Sequence, residues 1–235
     1  PSAPGPGETP ELKQRAAARV ERTELLDVVS APSLPVARPI NPDGPWQRAR
    51  VTLSWPLDNI GASLPNLITA VAGNLWELRQ LTGLRLLDLR LPRAFADAYS
   101  GPKFGVAGTR KLAGVNGRPV IGTIIKPSIG MSPSETASLV ATLCEAGIDF
   151  IKDDELQSDG AYCPFDQRVR AVMRVVNDNA ERTGKKVMIA FNLTGEIDQM
   201  RRRHDLVLRE SGTCVMASIN SIGLVGMIEL GRHTQ

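Results

Sequence analysis

Gly147-Ile-Asp-Phe-Ile-Lys-Asp-Asp-Glu155 is a short apolar run that ends abruptly in a lysine and three consecutive carboxylates. A strand with this text buries its front half. It delivers Lys152, Asp153, Asp154 and Glu155 at its C-terminal end, where catalytic groups sit in an α/β barrel. Side chains alternate along a strand, so Lys152 and Asp154 are expected on one side and Asp153 on the other. Glu155, at the strand end, can turn in beside Asp154. Two hard oxygen ligands and a lysine at one mouth suggest a Mg²⁺ site. An ammonium repels a cation, but an amine that takes up CO₂ becomes a carbamate and a third anionic oxygen ligand. Burial depresses lysine pKa values enough for such chemistry. The same four residues also fit a salt-bridged acidic loop after a strand.

The preceding segment has the same grammar. Pro119-Val-Ile-Gly-Thr-Ile-Ile125 is a second apolar strand that ends in Lys126-Pro127-Ser128-Ile129-Gly130. Ser132-Pro133-Ser134-Glu135 then opens a helix, with Ser132 as cap, Pro133 at the first helical position and Glu135 three residues after the cap. Gly147 stops that helix just before the lysine–carboxylate strand. The result is a strand–helix–strand unit with reactive side chains at the exits of two parallel strands, as in a barrel or a doubly wound sheet.

These two strand ends, with the helix between them, resemble the large subunit of RuBisCO. Val71-Ala-Gly73-Asn74-Leu75, Leu84-Arg-Leu-Leu-Asp88-Leu-Arg90-Leu-Pro92 and Gly101-Pro102-Lys103-Phe104-Gly105 follow the same family in order and spacing. The similarity covers most of residues 50–220. It implies that Lys152 is the carbamylated lysine and that Asp154 and Glu155 are the magnesium-binding carboxylates. It implies that Lys126 is the general base of enolisation. Asn74 matches an asparagine that reaches the active site of the neighbouring subunit, so a homodimer or higher homo-oligomer with shared sites is expected. Glu21 is aligned loosely with a glutamate of the same amino-terminal domain, and we include it among the substrate-binding candidates.

Departures from the family text are equally informative. The carboxylases carry Lys-Pro-Lys where this chain has Lys126-Pro127-Ser128, and Leu156 to Pro164 is not the carboxylase text. Loss of a cation beside the reacting carbons weakens the case for CO₂ fixation, which needs charge stabilisation along the whole path. What remains resembles the RuBisCO-like proteins, which enolise or cleave other phosphorylated keto sugars and sugar acids. The expected function is Mg²⁺-dependent enediolate formation, first as decarboxylation of a 3-keto sugar-acid phosphate. Enolisation or isomerisation of a methylthio-sugar phosphate, true ribulose-bisphosphate carboxylation, and a non-catalytic homologue are the alternatives.

The chain has 235 residues, 42% hydrophobic content and a net charge of +3, enough for a genuine core and too mild for a polyelectrolyte partner. Arg201-Arg202-Arg203-His204 is expected as a solvated helix face, and no aromatic–basic motif points to nucleic acid. Cys144, Cys163 and Cys214 are widely spaced with no CxxC, which favours reduced cytoplasmic thiols, with Cys144 and Cys214 in the core. No transmembrane span or signal peptide is visible.

The expected fold is α/β, a small α+β (ferredoxin-like) N-terminal domain followed by the first half of a (β/α)₈ TIM barrel. Residues 1–93 form the first domain, 94–118 a connecting segment, and 119–235 four β/α units. Within the first domain, helices are expected over 11–27 and 64–81, and strands over 50–57 and 84–91. Barrel strands are expected near 119–125, 148–152, 187–191 and 214–219, with helices near 133–146, 165–183 and 196–211. Asn192 and Asn220 lie at the exits of the third and fourth strands. Asn192 is a substrate-binding candidate, although asparagine commonly caps turns for local backbone reasons. Four units are half of a closed barrel, so the chain reads as a fragment.

Overall fold

The computed structural model describes residues 7–34, 37–40 and 43–234; the side chains of residues 74 and 77 lie outside that description. The chain divides into two compact units, 1–101 and 102–235.

In the first unit, helix α1 (Pro10–Ala16) is capped by Thr9, whose hydroxyl accepts from the Leu12 N–H. Strands β1 (Arg19–Val29) and β2 (Trp46–Ser54) pair antiparallel, from Arg19 opposite Ser54 to Val29 opposite Trp46. Helix α2 (Leu64–Ala72) starts at the Ser63 cap with Pro65 in its first turn. Helix α3 (Arg93–Ala98) brings Phe95 against Leu67 and Val71 in a small core.

Three expectations for this unit need correction. The helix expected over residues 11–27 stops at Ala16, because Val20, Thr23, Leu25 and Val28 lie on a strand whose backbone is satisfied by β2. The helix expected to Leu81 ends at Ala72. Gly73, at φ −86° and ψ −126°, leaves the helical region, and a 3₁₀ turn follows over Asn74–Glu77. Residues 84–91 form no regular strand, and Leu84, Leu86, Leu87 and Leu89 remain exposed. Their text is strand-like, but no hydrogen-bonded partner strand lies beside them among the described residues.

The second unit opens with helix α4 (Gly105–Ala113), which closes on Gly114 at φ 65°. Both α3 and α4 thus carry helix within or beside the stretch read as a connection. Strands β3 (Gly122–Ile124), β4 (Phe150–Lys152), β5 (Met188–Asn192) and β6 (Cys214–Met216) make a parallel sheet in that spatial order. Ile124, Lys152 and Ala190 stand in register, as do Asn192 and Met216, so the strand exits come together at one edge. Helices α5 (Pro133–Glu145), α6 (Phe165–Thr183), α7 (Ile197–Arg209) and α8 (Ile219–His233) follow the strands in turn. The capping box of Ser132 and Glu135 forms as its text requires.

Every residue of β5 is buried, as expected of a central parallel strand covered on both faces. Ile151, Ile189, Phe191 and Leu193 pack with Val140 of α5 and Phe165, Val169, Val172 and Val176 of α6. At the opposite end of the strands, Ala113, Val115 and Met188 form a second apolar cluster with Phe150 and Cys214. Four strands are half of the eight that close a barrel, and Ile121 and Ile124 at the β3 edge remain exposed. No helix among the described residues is long and apolar enough to cross a membrane.

Candidate active site

The exits of β3, β4 and β5 bring five polar residues of distant sequence into one cluster. Lys126 leaves β3 and places Nζ 2.5 Å from Asp154 Oδ2 and 2.9 Å from Ser128 Oγ. Lys152, the last residue of β4, donates to Glu155 Oε1 at 2.8 Å and to the Asp153 carbonyl at 3.0 Å. The acidic segment is salt-bridged, with Asp154 holding Lys126 and Glu155 holding Lys152. Hydrogen bonds from Lys126 and from the Leu156 N–H keep the Asp154 carboxyl below its ordinary range. The hydrogen bond from Lys152 does the same for Glu155. Both groups are therefore anionic at neutral pH.

Asp153 faces the other way, as strand alternation requires. It is fully buried, 3.2 Å from Arg168 Nη2 of α6, and accepts the Asn192 N–H at 3.0 Å. Burial pushes its carboxyl upward, opposed by the charge of Arg168 and the Asn192 N–H. Arg168 is also fully buried and donates to the carbonyls of Cys163, Gln157 and Ser158. It thus ties the whole segment after Glu155 to α6.

Asn192 has a similar task. Its side-chain amide donates to the carbonyls of Asp154 at 3.3 Å and Glu155 at 3.0 Å, while its Oδ1 accepts the Thr194 N–H. The residue is buried among these bonds, which fix the backbone that carries both acidic candidates. Glu21 lies on β1, where its carboxylate accepts from the Ser54 hydroxyl at 2.5 Å. Asn74 opens the 3₁₀ turn after α2, and its side chain lies outside the described residues. These two belong to the first unit; Lys126, Lys152, Asp154, Glu155 and Asn192 belong to the second.

Arg203 corrects the reading of the arginine tract as a solvated face. It is buried, donates to Asp159 Oδ2 at 2.9 Å and to the Leu193 and Thr194 carbonyls, and lies 5.5 Å from the Phe165 ring centroid. Arg168 lies 5.3 Å from the same centroid. Arg202 pairs with Asp166 and Arg201 with Asp198 and Glu229, so the tract ties neighbouring segments together. Nothing local in Arg201–Arg203 signals burial; the only clue was an amphipathic phase that puts Met200, Arg203 and Val207 on one helical stripe. All three cysteines are free; Cys144 and Cys163 are buried and Cys214 partly so.

The donor set fits a magnesium ion on its chemistry. Asp154 and Glu155 supply hard anionic oxygens, and Lys152 Nζ lies beside Glu155, so a carbamate there would add its oxygens to the same group. The uncarboxylated lysine would compete with the cation for Glu155, so the fit holds only with CO₂ on Lys152.

Residues 105–235 match the family model of the ribulose bisphosphate carboxylase large chain, catalytic domain, and residues 38–95 match that of its N-terminal domain. The 3-oxo-isoapionate-4-phosphate transcarboxylase/hydrolase of Xanthobacter autotrophicus is 62% identical over 97% of this chain and 54% of its own length. The 3-oxo-isoapionate-4-phosphate decarboxylase of Rhizobium rhizogenes is 48% identical over 98% of this chain and 55% of its own. The crystal structure of a rubisco-like protein from Burkholderia fungorum is 51% identical, with a TM-score of 0.88 over 94% of this chain and 55% of that one. The chain thus spans about half the length of the curated relatives it matches. With both domain models and the parallel half-barrel in agreement, the chain belongs to the ribulose bisphosphate carboxylase large-chain family.

Proposed function

We propose that this chain carries the metal and proton-transfer part of the active site of a RuBisCO-like enzyme. Its substrate class is a 3-keto sugar-acid phosphate, and its reaction removes the carboxyl group borne by the carbon next to the keto carbon. The observation that carries the reading is the cluster at the β3 and β4 exits, where Lys126 with Ser128 faces Asp154 and Lys152 faces Glu155. The activities of two relatives, at 62% and 48% identity, support the substrate class.

Lys152 as its carbamate, with Asp154 and Glu155, would hold Mg²⁺, which when bound supplies a Lewis acid at the substrate's carbonyl oxygen. The carbon–carbon bond to the carboxyl group breaks, and its electron pair passes into an enediolate. Lys126 Nζ stands at the cluster with a proton to deliver to the carbon that lost the carboxyl group. Ser128, in the place of a second lysine, gives Lys126 a neutral acceptor and leaves one cation fewer beside the reacting carbons. That charge balance suits release of a carboxyl group better than capture of CO₂. Asn192 and Arg168 act from behind, holding the backbone of residues 153–158.

A second reading of the chemistry, transfer of the carboxyl group followed by hydrolysis, is favoured by the transcarboxylase/hydrolase activity of the 62%-identical relative. Substrate labelled with ¹³C in the carboxyl group decides between the two. Prompt labelled CO₂, with solvent deuterium in the product, marks decarboxylation; label first retained in a second organic product marks transfer. No metal-dependent consumption of any 3-keto sugar-acid phosphate sinks both. We further propose a homo-oligomer in which Asn74, and Glu21 with less sequence support, reach a neighbouring subunit's site. The free thiols fit the reducing cytoplasm, where we place the protein.

A further inference from the structure

The chain has two histidines, and they meet. His204 of α7 places Nδ1 3.1 Å from Asp205 Oδ1, and His233, at the end of α8, places Nε2 2.8 Å from the same oxygen. The rings stand edge to face with centroids 5.1 Å apart. One donor atom from each of the three residues lies within 4.8 Å of the other two. His204 is largely buried and His233 is open to solvent on one side, so the group has a supported wall and an accessible mouth. It shares no residue with the Lys126–Lys152 cluster.

We propose that His204, Asp205 and His233 form a second metal site, for a zinc-like divalent ion, that ties α7 to α8. Two imidazoles and one carboxylate are the mixed nitrogen–oxygen donor set that zinc accepts with three protein ligands and one open position for water. Magnesium prefers oxygen alone, so the two sites select different ions.

Zinc–nitrogen bonds of about 2.0–2.1 Å make the edge of a ligand tetrahedron about 3.4 Å. The two histidine–aspartate donor separations, 2.8 and 3.1 Å, are shorter than that edge by about 0.6 and 0.3 Å. A neutral imidazole frees the required lone pair by carrying its proton on the other ring nitrogen. Glu229 pairs with Arg201 at 3.3 Å and with Arg232 at 2.8 Å, and Asp198 pairs with Arg201 as well, so both neighbouring arginines have carboxylate partners. Two ion-paired helices with converging imidazoles are a frame that a metal completes.

The test is a zinc titration of the protein in excess Mg²⁺, by calorimetry and by thermal unfolding, with Co²⁺ absorption as a spectroscopic reporter. One equivalent of Zn²⁺ should bind, raise the unfolding temperature and give cobalt its visible bands. His233→Ala should remove the equivalent, the thermal shift and the bands while leaving metal-free unfolding nearly unchanged. Lys152→Ala should retain all three. Zinc stoichiometry unaltered by His233→Ala, zinc lost in Lys152→Ala, or no thermal shift in the unsubstituted protein would overturn the proposal. Histidine would then serve only as a hydrogen-bonded clamp.

Discussion

Replacing Arg168 with methionine removes a fully buried cation while keeping most of its stem volume, so the cavity contribution stays small. Four hydrogen bonds go: to Asp153 at 3.2 Å and to the carbonyls of Cys163, Gln157 and Ser158 at 3.0, 3.3 and 2.9 Å. At 3.2 Å and an effective dielectric of about 20, the Asp153–Arg168 attraction is about 5 kcal/mol. Much of that is offset by the cost of desolvating both ions, but removal of one partner strands the other. Cleaving a buried pair in this way costs about 3–5 kcal/mol. The carbonyls can regain water as the segment loosens, so the lower half of that range is expected. Tryptophan fluorescence is the wrong probe, since Trp46, Trp55 and Trp76 all lie in the first unit. Circular dichroism through a denaturant series, with hydrogen exchange over residues 157–169, reports on the second. The double variant with Asp153→Asn should cost less than the sum of the singles, by at least ~2 kcal/mol of coupling. Additive effects, or a loss below ~1 kcal/mol for Arg168→Met, would refute the claim that this pair anchors the acidic segment.

Three further outcomes are expected. Lys152→Ala should abolish Mg²⁺-dependent turnover and its activation by bicarbonate, and calorimetry should show Mg²⁺ affinity lost; normal turnover would remove the carbamate from the scheme. Asn192→Ala strips two backbone carbonyls of their donor and should weaken Mg²⁺ binding by about 10–100-fold, as for other residues that orient ligands; unchanged affinity would leave Asn192 a turn residue only. Asp149, fully buried, takes bonds from Arg118 at 2.6 and 2.8 Å, from Lys185 at 2.7 Å and from the Ile121 N–H, and Arg118 above all holds its carboxyl far below the ordinary range. Because the folded value is depressed, its contribution is complete above the unfolded pKa of about 3.9 and is lost as pH falls from there toward the folded value. Asp149→Asn should cost about 2–4 kcal/mol at neutral pH and flatten the acid limb of a denaturation-midpoint profile; an unchanged acid limb would show that the pair does not drive acid unfolding.

Much of the second unit was legible because its signals are local. The short apolar run before Lys152 forms a strand, the Ser132–Glu135 text forms its capping box, and Gly147 and Gly184 take the positive φ at which those helices end. The alternation that turns Asp153 away from Lys152 and Asp154 follows from the pleat alone. By itself, then, the sequence determined the alternation of β3 to β6 with α5 to α7, the end of the sheet that bears charge, and the residue types available there.

Tertiary structure decided which charges serve chemistry and which serve packing. Arg203 reads as one of three solvated arginines until Phe165 and Asp159, 38 and 44 residues earlier, enclose it. Asn192 reads as a turn former until β5 lies beside β4 and its amide reaches the carbonyls of Asp154 and Glu155. Val20 to Val28 carries apolar residues at spacings that serve a helix or a strand, and pairing with β2 chose the strand. The histidines of α7 and α8, 29 residues apart, acquire a shared partner only through helix packing. In each case the deciding energy comes from a group distant in sequence, through desolvation or a hydrogen bond that no local window contains.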